Sequence, residues 1–432
     1  DTWQQDSGGF SLLAEKQKKQ IIDLVIGEEG PKVQVMKIFL DPWHQTVADG
    51  PFDHETTTGN MRHFVKNGLG LTRQRGDDLE IITTLYGPPS WATLQDSIGG
   101  RDIDATQFSK LNQYMVHWVK YLRDNDYPVK YLSPHNEGED FYSWTFDNGN
   151  QRLEKFDYNA YWSPELVNHF LKSAHRNLDE LGLKGVGLTN GEPSNWTRFY
   201  YWGYAQGLYE DPLAMANIGL LTTHGFINGD MSKLSYGIAN PLTTNLLREK
   251  REHLHAWVTS FSWGSSGVDF LRMVQENIYT ARVNGIIPWA GIQNPSQWIG
   301  GDPNPGCAIQ VNDDSSYTVR IWYYFYKQLT RAGRRGMSVV NAWLASPQAH
   351  IIAFDDNGSR NPEAFDLTSN ILIWGLPIEI KIKSNDFKKF KAFRTIEDGS
   401  ELYQDIGVYE VINGTIIYDP PRGSTTTFIG IK

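Results

Sequence analysis

The run Pro128-Val-Lys-Tyr-Leu-Ser-Pro ends in His135-Asn136-Glu137, and Gly138-Glu139-Asp140 follows at once. A β-branched and aromatic run that stops abruptly at Asn-Glu reads as a strand that carries a carboxyl group to its C-terminal tip. A carboxyl group fixed in that way can act as a general acid or base. Other apolar runs also end in residues that do chemistry: Glu192 in Asn190-Gly-Glu-Pro, His224 after Ile218-Gly-Leu-Leu-Thr-Thr, and Ser260 after His255-Ala-Trp-Val-Thr. The histidines lack metal-ligand spacing, so no catalytic metal is expected, and no cofactor motif is present.

The elements that position these residues alternate. From about Gly8 to Ile321, short apolar runs are separated by amphipathic stretches, the pattern of βα units around a parallel sheet. Eight strands are expected. The first ends near Gly8-Gly9-Phe10-Ser11, and the second is Val33 to Leu40, leading to Asp41-Pro-Trp43-His44. The third is Glu80 to Tyr86, and the fourth carries Asn136-Glu137. The fifth, Gly185 to Asn190, leads to Glu192, the sixth to His224 and the seventh to Ser260. The eighth is Gly285 to Trp289. Helices are expected over Ala14–Ile26, Gln107–Asp124, Pro164–Leu181 and Val268–Arg282. The fold class expected is α/β, a (β/α)₈ barrel over residues 1–335, in which catalytic groups sit at the C-terminal tips of the strands. After Gly336 the texture changes to short alternating strands with turns at Asp355-Asn357-Gly358, Asp398-Gly399 and Asn413-Gly414. Residues 336–432 are expected to form an all-β, sandwich-like domain.

A chain of 432 residues fits a barrel and one appendage. A net charge of −10 argues against a nucleic-acid or anionic-membrane partner and suits a neutral substrate. No run of about 18 apolar residues is long enough to span a membrane. Aromatic residues make up 13% of the chain, including 15 Trp, an excess that suggests stacking platforms for sugar rings. Trp43, Tyr86 and Trp91 are candidate walls and Trp289 a candidate floor. The single cysteine, Cys307, rules out an intrachain disulfide and reads as an inert thiol. Asn195, Asn357 and Asn413 begin glycosylation sequons. No signal peptide is present, and the start at Asp1 reads as a mature or trimmed chain, so an extracytoplasmic location is expected.

Asn136-Glu137 resembles the acid/base motif of the clan of barrel glycosidases that includes glycoside hydrolase families 5, 30, 39 and 51. Family 30 is the best match, with family 39 as a competitor. Gly9-Phe-Ser-Leu-Leu with the following Glu15-Lys-Gln-Lys-Lys-Gln-Ile-Ile resembles its first strand and helix. Leu85-Tyr-Gly-Pro-Pro-Ser-Trp91 resembles its turn after the third strand, and Tyr323 to Met337 its lead into the β domain. The resemblance implies a retaining β-glycosidase acting on a β-linked polysaccharide or oligosaccharide. Its two carboxyl groups would lie about 5–5.5 Å apart, with Glu137 as acid/base and the nucleophile at the seventh tip. There the clan's pattern reads Trp-Val-Thr-Glu-Phe-Ser-Trp-Gly, whereas this chain reads Trp257-Val-Thr-Ser260-Phe-Ser-Trp-Gly264.

Two explanations of Ser260 stand: replacement of a catalytic glutamate in a variant, or a natural carbohydrate-binding pseudoenzyme. A serine hydroxyl cannot replace the glutamate unaided, so little hydrolysis is expected. A Ser-His-Asp hydrolase is disfavoured, because no Gly-x-Ser-x-Gly elbow surrounds Ser260. Lys37 stands where the clan places an arginine, His135 where it places glutamine, and His224-Gly-Phe226 replaces a His-x-Tyr. His135, Asn136 and His224 are expected beside the substrate. Glu192 is expected to hold a sugar hydroxyl, modulate Glu137 or satisfy a loop amide. The sugar, the linkage, endo or exo action and the oligomeric state stay open.

Overall fold

The computed structural model describes residues 9–147, 149–151, 158–227, 239–295, 306–343, 349–356, 366–371, 378–381 and 387–431. Seven parallel strands form one sheet: β1 (Val35–Leu40), β2 (Glu80–Leu85), β3 (Val129–Ser133), β4 (Gly187–Thr189), β5 (Ile218–Thr223), β6 (Ala256–Ser262) and β7 (Gly285–Trp289). They follow one another in chain order, and β1 and β7 approach at the seam, so the sheet is a nearly closed TIM-type barrel. The expected fourth and seventh strands are therefore β3 and β6.

The expected first strand is not a strand. Gly8 lies outside the described residues, and Phe10–Leu12 form a turn of 3₁₀ helix. Gly9 enters it at φ 67°, and a Cβ there would meet the Asn294 Cβ at 2.7 Å. The chain turns tightly there instead of running on as a strand, in a conformation that glycine adopts without strain.

Helices cover the outside of the barrel. Glu15–Ile26 precedes β1, Phe108–Asp124 follows β2, Pro164–Glu180 follows β3 and Gly267–Tyr279 follows β6, each close to its expected span. Phe108–Asp124 buries Phe108, Leu111, Met115, Trp118, Val119 and Leu122, an apolar stripe at helical spacing. Ser163 caps Pro164–Glu180, accepting from the Leu166 N–H, with Pro164 pre-set for the first turn. A helix not expected from sequence, Gly59–Gln74, follows β1 and buries Met61, Phe64, Val65 and Leu69.

Inside the barrel, alternation along each strand stacks residues in layers. At the lower level Val35, Ile82, Tyr131, Leu220, Trp257 and Ile287 form an apolar plug. Two residues further along the same strands stand Lys37, Thr84, Ser133, Thr222 and Thr259, all fully buried. The interior therefore changes from apolar to polar one step below the mouth. That change makes the mouth a place for charged groups.

Beyond helix Ile321–Ala332 the chain forms antiparallel β-sheets. Six strands lie in the spatial order Met337–Val340, Ala349–Asp356, Asp366–Ile371, Ser424–Ile431, Lys389–Ile396 and Gln404–Glu410. Ile378–Lys381 pairs with Thr415–Tyr418, and Ile380, Phe390, Ile416, Tyr418 and Phe428 share one core. The turn expected at Asn357-Gly358 lies outside the described residues. Gln328 ties the sheet to the barrel, donating to Thr395 Oγ1 at 2.9 Å and accepting from Thr427 Oγ1. Among the described residues, no helix is long and apolar enough to cross a membrane.

Candidate active site

Glu137 follows β3 in a left-handed conformation, φ 42°. The chain reverses there, and backbone bonds fasten it. The Glu137 N–H donates to the Glu192 carbonyl at 2.9 Å, and the Glu192 N–H donates to the His135 carbonyl at 3.0 Å. The tips of β3 and β4 are thus stitched together beyond the ends of their strands, with Asn136 paired to Glu192. The next residues, Glu139 and Asp140, are buried on Arg198, whose Nη1 lies 3.0 Å from Asp140 Oδ1 and 3.4 Å from Glu139 Oε1. That guanidinium anchors the turn from below. Burial pushes both of these acids above the usual range.

The Glu137 side chain is 12% exposed. Its Oε1 lies 2.9 Å from His224 Nδ1, and its Oε2 accepts from Ser143 Oγ at 3.0 Å and Asn159 Nδ2 at 3.5 Å. Asn136 donates to Asn159 at 3.1 Å and so braces that contact.

Ser260 sits at the tip of β6, also left-handed at φ 57°. The register between β6 and β7 slips by one residue between Val258 and Phe261, which is a bulge. The extra residue turns both Thr259 and Ser260 toward the barrel axis. Thr259 Oγ1 donates to Glu192 Oε2 at 2.8 Å, and Lys37 Nζ lies 2.5 Å from Ser260 Oγ.

Between the two positions lies a buried chain of charges. Lys37 Nζ donates to Glu192 Oε2 at 2.5 Å, and His224 Nε2 lies 3.3 Å from the same oxygen. Thr84 Oγ1 donates to Glu192 Oε1. Burial would push Glu192 up, but Lys37 and then His224 reverse this and hold its carboxyl well below the usual range. Burial opposes the His224 charge, yet the bonds to Glu137 and Glu192 prevail and raise its pKa. Glu137 is likewise pushed up by burial but brought below the ordinary range by His224 and then Ser143. Burial lowers Lys37, with Glu192 opposing.

The aromatic residues divide. Trp289 packs edge-on to Phe39 at 5.8 Å, Phe39 to Tyr86 at 4.8 Å, and Trp43 to Tyr158 at 5.5 Å. Tyr158 adjoins Asn159, so this wall runs up to Glu137. Trp91 is set apart: its indole N–H donates to the Gln45 carbonyl at 2.8 Å, and it packs on Tyr114. His135 also points away. It is buried against Trp162, its Nδ1 accepts from the Gly138 N–H at 3.0 Å, and burial pushes its pKa down to about 3. It props the turn and stays neutral.

Gly191 shows how closely this layer packs. It takes φ 82°, and a Cβ would lie 1.9 Å from His135 Nε2. Gly191→Ala should therefore destabilise the protein by at least about 2 kcal/mol, read as a lower thermal midpoint. An unchanged midpoint would mean that the β4 tip is laid out differently.

Ser143, Tyr158, Asn159 and Arg198 lay outside the sequence expectation. They come from loops and a short helix, where no periodicity signals them. The sequon residue Asn195 is buried as the cap of helix Trp196–Tyr201, accepting from the Arg198 N–H, and Asn357 lies outside the described residues. Among the described residues, no cluster of three His, Cys, Asp or Glu side chains is arranged to hold a metal ion.

By sequence, no family model and no curated protein matches the chain. By structure, it is similar to glycoside hydrolases of families 30 and 39 at low identity. The catalytic domain of family 30 xylanase C from Talaromyces cellulolyticus superposes with a TM-score of 0.73 at 13% identity, covering 100% of this chain and 97% of that one. A conserved exported protein from Bacteroides fragilis gives 0.73 at 13% identity, covering 99% and 96%. An endo-β-1,6-glucanase gives 0.67 at 14% identity, covering 100% and 91%. The shared feature is the fold, a barrel with its β domain.

Proposed function

We propose that the chain is a β-glycosidase scaffold acting on β-linked polysaccharide or oligosaccharide outside the cytoplasm, with residues 1–335 as the catalytic barrel and 336–432 as its β domain. Glu137 is the general acid/base, and position 260 is the nucleophile's seat in a double displacement. The observation that carries this reading is the pairing of two strand tips. The accessible Glu137 carboxylate and Ser260 both occupy left-handed positions at the mouth, linked through buried charges and flanked by an aromatic wall. Glu192 is not the nucleophile in this reading, because it is fully buried and its oxygens are taken by Lys37, Thr84 and Thr259. With Ser260 in place no covalent glycosyl–carboxylate forms, since serine carries no carboxylate and its hydroxyl meets the Lys37 ammonium, a proton donor that cannot activate it. The test is to place glutamate at 260 and follow β-linked oligosaccharides by proton NMR. A first-formed β-anomer supports the reading. A folded Ser260→Glu protein that cleaves none of a broad panel overturns it.

One observation favours a second reading, a natural glycan-binding barrel. Lys37 balances Glu192 and His224 balances Glu137, so the charges close without a carboxylate at 260. In that case the chain as it stands should bind an oligosaccharide, by calorimetry, and lose it when Trp289 or Tyr158 is replaced by alanine. Unaltered binding in those variants would place the glycan elsewhere.

A further inference from the structure

We propose that Glu192 is the positioning residue of Glu137: acting through His224, it holds the imidazole with its Nδ1–H aimed at the Glu137 carboxylate. The inference rests on the acid/base reading of Glu137 and adds a partner to it. His224 is 2% exposed and stands between two carboxylates, with Nδ1 2.9 Å from Glu137 Oε1 and Nε2 3.3 Å from Glu192 Oε2. A carboxylate accepts and does not donate, so an imidazole bonded to both must carry a proton on each nitrogen. Glu192 is fixed for that task. Lys37 and Thr259 donate to the oxygen that faces His224, and Thr84 donates to the other. The Glu192 backbone is tied to His135 and Glu137 on both sides. A carboxylate that served only to satisfy a loop amide would not need a buried ammonium, two hydroxyls and an imidazole.

The charged and titratable groups around His224 are Glu137, Glu192 and Lys37, with His135 neutral behind them. Those around Glu137 are His224, Lys37, Arg198 and Asp140. Glu192→Gln keeps the shape and removes one of the two carboxylates that require the imidazolium. Lys37 and Thr259 keep the glutamine carbonyl on the side that faces Nε2, and a neutral carbonyl supports the imidazolium less than a carboxylate does. His224 should then lose its charge at a pH lower by about one unit or more.

The probe is the nitrogen-15 NMR titration of His224 in the full chain as it stands, assigned by comparison with His224→Asn. A downward shift of about that size in Glu192→Gln supports the proposal. Thr259→Val removes a competing donor from Glu192 and should move the midpoint the other way. A Trp91→Phe variant, whose indole bonds the Gln45 carbonyl apart from this chain of groups, should leave it in place. A folded Glu192→Gln protein with an unmoved His224 midpoint overturns the proposal. If that variant does not fold, a Thr259→Val midpoint that stays put or falls overturns it. The titration needs no activity, so a shifted His224 together with an inert Ser260→Glu protein would remove the glycosidase reading and leave the positioning role standing.

Discussion

Placing glutamate at position 260 is expected to raise hydrolysis of a β-linked substrate by at least about 10⁴-fold, with retained configuration. The new carboxylate would stand beside Lys37, which now touches Ser260 Oγ at 2.5 Å. It would add a nucleophile and also one negative charge to a site that is otherwise balanced. That charge opposes ionisation of Glu137, which His224 and Ser143 now hold in the carboxylate form. A general acid needs this upward shift, so one substitution supplies both halves of the double displacement. Glu137→Gln in the Ser260→Glu background should then cost about 10²–10⁴-fold on substrates with poor leaving groups. Activated aryl glycosides should lose far less in the glycosylation step, because their leaving oxygen needs little protonation. Kinetics with aryl glycosides of graded leaving-group pKa check both points. A loss of equal size across the series would remove Glu137 from the acid/base role.

Lys37→Met is expected to destabilise the protein by about 3–5 kcal/mol at neutral pH. Lys37 and Glu192 are both 0% exposed, and methionine fills the space of the lysine stem without its charge. Glu192 would stay buried with only His224 and two hydroxyls facing it. The sign of the pH dependence follows from the depressed carboxyl. In the parent protein, Glu192 contributes fully above its unfolded value of about 4.3 and loses that contribution as pH falls through its lower folded value. In Lys37→Met the depression shrinks and the acid form becomes easier to reach. The stability gap between parent and variant should therefore be widest near neutral pH and narrow below about pH 4. Denaturant unfolding at pH 7 and pH 4 measures it, and a gap that widens on acidification would show that Lys37 does not neutralise Glu192.

Local rules carried the reading of the strand tips. β3, β5 and β6 are apolar runs stopped by polar residues, so their ends, and the chemistry at them, could be read from period and punctuation. The 3₁₀ turn at Phe10–Leu12 could not, because a two-glycine run and a few apolar residues fit a strand end equally well. The deciding contact is with Asn294, far along the chain. The same holds for the site's interior. Lys37 and Glu192 are 155 residues apart in sequence, and nothing local announces their pairing. Asn159 and Ser143 reach Glu137 from irregular loops. Trp91 and His135 carry the right side chains at plausible places, yet a backbone carbonyl claims one and a turn N–H the other.

The stitching between the tips of β3 and β4 bears on how such a barrel can be recombined. Segments 135–140 and 190–198 are separated in the chain by the whole of helix Pro164–Glu180. Yet they share backbone hydrogen bonds, and Arg198 from the second pairs with two acids of the first. A crossover placed in that helix would look harmless by the usual logic of exchanging one βα unit at a time. It would nevertheless join an acidic turn from one parent to a counter-charge from another. The two segments form one cassette in two pieces, and a chimaera that keeps Glu137 functional has to inherit both from the same source.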